Sequence, residues 1–124
     1  MRFDWSNFTK ADYEKYMKKC MAKVVDCYDY IGAVHVGDIS IDLVDCGEDG
    51  VLVYDFYVAH EDTGYGYKND IPYDYADGDG MNIPYGLSYD EFKGKAEKLF
   101  MKYIESYKGS YSLAEHANRP LEMW

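Results

Sequence analysis

DISIDLVDCGEDGVLVYDFYVAH, residues 38 to 60, decides the fold. Asp38 to Leu43 alternates polar and apolar with period two, the pattern of a strand with one buried face. Cys46-Gly47-Glu48-Asp49-Gly50 reads as a turn. Val51 to His60 is a second β-rich run in which only Asp55 interrupts the apolar and aromatic residues. Two such runs around a glycine-bounded turn predict an antiparallel hairpin. An antiparallel sheet can bury one face and leave the other wet. Ile39, Ile41 and Leu43 are therefore expected to face helices, and Asp38, Ser40 and Asp42 to face water. Ala33 to Val36 are expected to add a short strand before the turn at Gly37.

Helices flank this hairpin. From about Lys10 to Tyr28, Tyr13, Tyr16, Met17, Cys20, Met21, Val24 and Cys27 fall at helical spacing. Thr9 is a suitable N-cap, with Asp12 three residues on. Ser88 and Glu91 form a capping box for a second helix over about 89–108. Its stripe is Phe92, Ala96, Leu99, Phe100, Tyr103, Ile104 and Tyr107, with Gly109 placed to end it. Packing against a sheet explains both stripes without a cofactor. The expected architecture is α+β in one domain over residues 1–124: an N-terminal helix over 10–28, a central antiparallel sheet of about three to five strands, and a C-terminal helix on one face of it. Strands are placed over 33–60, an acidic Tyr- and Gly-rich loop or hairpin over 61–86, and a tail over 109–124.

The 61–86 segment is too long for a structureless loop in a compact domain. Tyr73 to Tyr75 and Asn82 to Tyr85 are expected to pair as a second hairpin around Ala76 to Gly80. Ile71-Pro72-Tyr73 and Ile83-Pro84-Tyr85 would then occupy matching edge positions, since proline cannot donate to an inner ladder.

Charge is distributed unevenly. Residues 1–25 hold six Lys and Arg against three Asp and Glu, and residues 80–124 hold six of each. Residues 26–79 hold one lysine, Lys68, against fourteen acids, within a chain of net charge −10. A chain this acidic is not expected to bind nucleic acid or anionic lipid directly. No apolar run is long enough for a membrane span, and Met1-Arg2-Phe3-Asp4-Trp5 does not resemble a secretory signal. Cys20, Cys27 and Cys46, an odd number without Cys-x-x-Cys spacing, suit a reducing cytoplasm. Cys20 and Cys27 are read as small core hydrophobes on one helix face.

Several chemistries fail on residue type or spacing. A calcium loop with Gly80 at its sixth position and Asp77 and Asp79 as ligands would also need ligands at Tyr75 and Gly86, which have no carboxylate. His35, His60 and His116 are isolated and read as ordinary surface or half-buried histidines, not transition-metal ligands. Cys46 and His60 would meet only by the chance of hairpin geometry, and there is no Gly-x-Ser-x-Gly elbow. Glu91-Phe92-Lys93 has a nuclease-like Glu-x-Lys spacing, yet it falls in the first turn of a helix where Glu91 serves the cap. No cofactor and no metal is expected.

The acids and tyrosines themselves remain. Unpaired carboxylates are almost never buried, so the middle segment should present a negative face. Tyrosine supplies contact area with a polar tip at low entropy cost. Asp70, Asp74, Asp77 and Asp79 are the candidate partner-binding acids, Tyr73, Tyr75 and Tyr85 the anchors, and Asp42 and Asp55 a secondary set. In size, acidity and tyrosine content the chain resembles the small acidic proteins of phages and mobile elements that block defence nucleases, the anti-CRISPR and anti-restriction proteins. That resemblance implies a non-enzymatic inhibitor that mimics nucleic-acid charge at a basic site of a nuclease or defence effector. It carries over no residue. A toxin-immunity or antitoxin protein against a basic nuclease has the same physics. A divalent-metal module, a small hydrolase using the same acids, or an oligomer-forming subunit are the alternatives from other classes.

Overall fold

The computed structural model describes residues 2–22, 27–47, 50–59, 66–68, 71–84, 86–109 and 112–119. Six strands form one sheet: β1 (Asp4–Asn7), β2 (Cys27–Val36), β3 (Ile39–Cys46), β4 (Val51–Ala59), β5 (Gly66–Lys68) and β6 (Ile71–Asn82). Their order is β1-β2-β3-β4-β6-β5, and every neighbouring pair is antiparallel. Three helices accompany them: α1 (Lys10–Met21), α2 (Tyr89–Ser106) and α3 (Leu113–Ala117). This is the α+β arrangement expected, with a wider sheet than the three to five strands foreseen. No described helix is long and apolar enough to cross a membrane.

Both capping boxes form. Thr9 accepts from the Asp12 amide while the Asp12 carboxylate takes the Thr9 amide at 2.8 Å. Ser88 and Glu91 make the same reciprocal pair at the head of α2. Each satisfies two of the donors that a helix start leaves without an intrahelical partner.

The core lies between the sheet and α1 with α2. Ile39, Ile41 and Leu43 are fully buried, as expected, and so are Leu52, Phe56 and Val58 on β4. Phe92, Ala96, Phe100 and Ile104 of α2 face them. Aromatic packing fixes the layer spacing. Phe56 stacks on Tyr103 at 4.8 Å and 5°, and Tyr13 stacks on Phe92 at 4.8 Å and 22°. Many tyrosines belong to this layer. Tyr13, Tyr16 and Tyr54 are buried, and the hydroxyls of Tyr13 and Tyr16 donate to the carbonyls of Leu87 and Val51.

Three expectations are corrected. The first helix ends at Met21, not near Tyr28, because Met21 already projects into solvent (69% exposed) and gains nothing from further turns. The chain then re-enters the sheet at Cys27 and lies opposite Cys46, so Cys20 is a core residue whereas Cys27 is a strand residue. Second, the hairpin foreseen around Ala76 to Gly80 is one strand, β6, paired with β4 from Tyr73 to Asn82. The existing β4 edge offers a full ladder of partners, which a short local hairpin does not. Third, Asp38 and Ser40 do not face water: Asp38 is 7% exposed and Ser40 fully buried. Asp38 lies in the turn after Gly37, against α3. There its carboxylate meets His116 Nδ1 at 2.7 Å and its amide donates to the His116 carbonyl. Gly37 has φ +55 and leaves no room for a Cβ beside that carbonyl, so glycine is required where α3 docks. His116 is thus a buried structural partner, not a surface histidine.

Candidate functional site

Register sorts the strand residues onto two faces. On the inner face, rows run Val34–Ile41–Phe56–Asp77 and Val36–Ile39–Val58–Asp74, and Leu43–Tyr54–Asp79 lies beside them. On the outer face, one row is Ala33–Asp42–Asp55–Gly78 and the next is His35–Ser40–Tyr57–Tyr75. Tyr73 joins the outer face opposite Ala59. α1 and α2 pack on the inner face. Toward β1 the outer face is closed, with Ala33, His35 and Ser40 buried, while Asp42, Asp55 and Tyr57 are half-buried and Tyr75 is 45% exposed.

A bulge sets this division. Phe56 and Val58 are two residues apart, yet their partners Asp77 and Asp74 are three apart, with Ala76 the extra residue. In an unbroken strand, Asp74 would lie on the opposite face from Asp77 and Asp79. The bulge brings all three acids to the inner side and leaves Tyr73 and Tyr75 together on the outer side. The candidate residues therefore form two groups. Asp74, Asp77 and Asp79 line the inner margin beyond the helices, and Asp42, Asp55, Tyr73 and Tyr75 share the outer face. Asp70 and Tyr85 lie outside the described residues, as does His60.

At the inner margin, tyrosines of the core meet the acids. The Tyr54 hydroxyl points at Asp79 Oδ2 across 3.4 Å. Burial pushes Tyr54 up to about 12, with the Asp79 charge adding to the effect. Burial likewise raises Tyr103, with the Asp77 carboxylate as hydrogen-bond partner. These phenols stay protonated and donate toward the acids. Asp77 and Asp79 also each take the amide of the following glycine at 2.8 Å, which holds the carboxylates close to the strand.

The outer face is built differently. Asp42 and Asp55 are direct cross-strand partners, a like-charge pair that costs stability in a sheet. Burial raises the Asp55 carboxyl above the ordinary carboxylate range; Tyr75 pulls it down, and the Asp42 and Asp77 charges push it further up. The Tyr75 hydroxyl reaches Asp55 Oδ1 at 3.4 Å. Ser40 Oγ donates to Asp42 at 3.3 Å. The Asp55 carboxylate also lies over Gly78, in the space a Cβ there would occupy. Beside the acids is an aromatic cluster. Tyr57 meets Tyr73 edge-on at 5.1 Å and 89°, and Tyr75 at 5.4 Å and 65°. Tyr57 was not among the sequence-derived candidates, although it lies two residues after Asp55 and so on the same strand face.

β2, β3, β4 and β6 contain seven aspartates and no lysine or arginine. The lysines concentrate on α1 and α2, where several meet local acids, among them Lys93 with Asp90 at 3.5 Å. Lys19 of α1 lies 3.8 Å from Asp29 of β2. Among the described residues, no three His, Cys, Asp or Glu side chains come together to hold a metal ion. Comparison with family models, curated proteins and solved structures returns no match.

Proposed function

We propose that this chain is a non-enzymatic, acidic protein-binding inhibitor that occupies a basic nucleic-acid-binding site on a protein partner. In this it is akin to the anti-CRISPR and anti-restriction proteins. The observation that supports the reading is the concentration of aspartates, without a single cation, on the four long strands. Same-face residues along a strand recur every 6.5 to 7 Å or so, close to the separation of successive backbone phosphates. Asp77 and Asp79, successive same-face residues of β6, thus offer a basic groove two charges at that pitch. Such a field speeds encounter with a cationic partner and makes association salt-sensitive.

The test is capture of a basic nucleic-acid-binding protein at low salt, followed by competition. Adding the chain should displace nucleic acid from the captured partner, and raised salt should weaken the complex. The Asp74→Lys/Asp77→Lys/Asp79→Lys variant should remain folded and lose at least tenfold in affinity, since each reversal replaces attraction by repulsion. A folded variant that binds as well as the parent removes the inner-margin acids from the site. A captured partner whose nucleic acid is not displaced overturns the inhibitor reading.

A further inference from the structure

We propose that Asp77 and Asp79 guard the far edge of β6: their carboxylates occupy its outward amides and keep a second copy of the chain from adding a strand there. This goes beyond the reading above, since it gives the two acids a task that needs no partner.

β4 lies along one side of β6 from Tyr73 to Asn82. Along the other side, β5 pairs only with Ile71, Pro72 and Tyr73. From Ala76 to Asn82, no second strand neighbour is present among the described residues. An edge of that length presents a row of backbone donors and acceptors, a template for another strand. Backbone direction alternates along an antiparallel ladder, and the Ile83 amide still donates to the carbonyl of Gly50, just before β4. Beyond the bulge, odd-numbered residues therefore turn their backbone groups to β4, and Ala76, Gly78, Gly80 and Asn82 turn theirs outward. Each of these four positions has a backbone group held by a side chain. The Gly78 and Gly80 amides donate to the carboxylates of Asp77 and Asp79, both at 2.8 Å. The Ala76 carbonyl accepts from the Tyr107 hydroxyl at 3.1 Å, and the Asn82 carbonyl from Lys95 Nζ at 2.8 Å. Lys95 lies on α2 and Tyr107 caps its end, so a second element covers the same edge at both ends of the acidic pair.

A second copy is the strand this edge is suited to meet. Two identical edges can pair antiparallel about a twofold axis, so the surface is complementary to itself. Between Ala76 and Met81, Asp77 and Asp79 are the only residues other than glycine. Without their carboxylates the edge is uncharged and flat, the kind that pairs with its neighbours. Each carboxylate fills an amide that an incoming carbonyl needs. It also repels the same carboxylate on the other copy, and substitution separates the two effects.

Sedimentation equilibrium is the test. Asp77→Asn/Asp79→Asn removes the charges and keeps oxygens that accept the amides, whereas Asp77→Ala/Asp79→Ala removes both. The alanine variant should self-associate ~tenfold more tightly than the parent, and the asparagine variant should stay close to the parent. Adding Gly80→Pro to the alanine variant deletes one outward amide and should restore the parent's behaviour. Circular dichroism melting confirms that each variant is folded. The parent supplies its own check, because its Gly78 and Gly80 amides should exchange with deuterium ~tenfold more slowly than an unstructured amide. Exchange at the unstructured rate overturns the proposal whatever the variants do. So does a folded alanine variant that associates no more than the parent, or association that Gly80→Pro does not reverse. An asparagine variant that associates as strongly as the alanine one would make repulsion the barrier and likewise overturn it. None of these outcomes bears on partner capture, which the displacement assay above tests separately.

Discussion

Asp38, in the turn between β2 and β3, and Asp55, in the middle of β4, are both drawn out of water, and burial raises both carboxyls. Their neighbours differ. Asp38 meets the ring of His116 at 2.7 Å, with the Arg119 charge nearby, and each of these pulls its carboxyl back down. Asp55 faces Asp42 across the strand pair, has Asp77 nearby, and receives, among the described residues, a loose contact from the Tyr75 hydroxyl at 3.4 Å. One acid is matched by a ring from the chain's own C-terminal helix and holds that helix down. The other is set among charges of its own sign.

Removing His116 should break that contrast most severely. His116→Ala leaves Asp38 under α3 without the ring, and breaking a buried pair from one side costs about 3 kcal/mol. Urea denaturation should show the loss with little change in slope. Asp38→Asn is milder, about 1 kcal/mol, because an amide oxygen still accepts from the ring and no buried charge is stranded. If both substitutions cost the same small amount, the pair does not anchor α3 and the comparison with Asp55 fails.

The same contrast explains what could be read from residues alone. The hairpin of β3 and β4, both capping boxes, the α2 stripe and the inward Ile39, Ile41 and Leu43 were legible, since each rests on local periodicity or a short-range hydrogen bond. β6 was not. Its acids at 74, 77 and 79 fit neither strand phase until the bulge at Ala76 re-phases them, and a bulge is imposed by the partner strand. β1 is four residues long and exists by pairing with β2, so it leaves almost no pattern. Alternation placed Asp38 in water because it cannot show that α3, nearly eighty residues later, returns to cover the turn. For the candidate site, the acidic segment and most of its tyrosines were legible. Their division between two faces, and the place of Tyr57 in the cluster, depend on register and were not.

The smallest effect is the one that isolates the outer face. Asp55→Asn keeps the shape of the side chain and removes one of the two opposed charges, and its sign follows from linkage. The Asp55 carboxyl titrates above its ordinary value of 3.8 in the folded chain, chiefly through burial and then through Asp42 and Asp77. Between the ordinary value and the raised one, the folded state therefore holds more protons than the unfolded state. Parent stability should fall as pH rises through that window and level off above it. Asparagine has no such dependence. The variant should be the more stable protein at pH 7, by about 0.5 kcal/mol given partial exposure and the size of like-charge cross-strand terms. That advantage should fade as pH falls below the ordinary value of 3.8, where the Asp55 carboxyl becomes protonated in the folded and unfolded chain alike. Melting the two proteins at pH 3.5 and pH 7 measures it. A variant less stable than the parent at pH 7 would mean that Asp55 is a structural acid like Asp38, and the contrast between the two would fail. A gain in stability at pH 7 would show the charge to be kept against the interest of the fold.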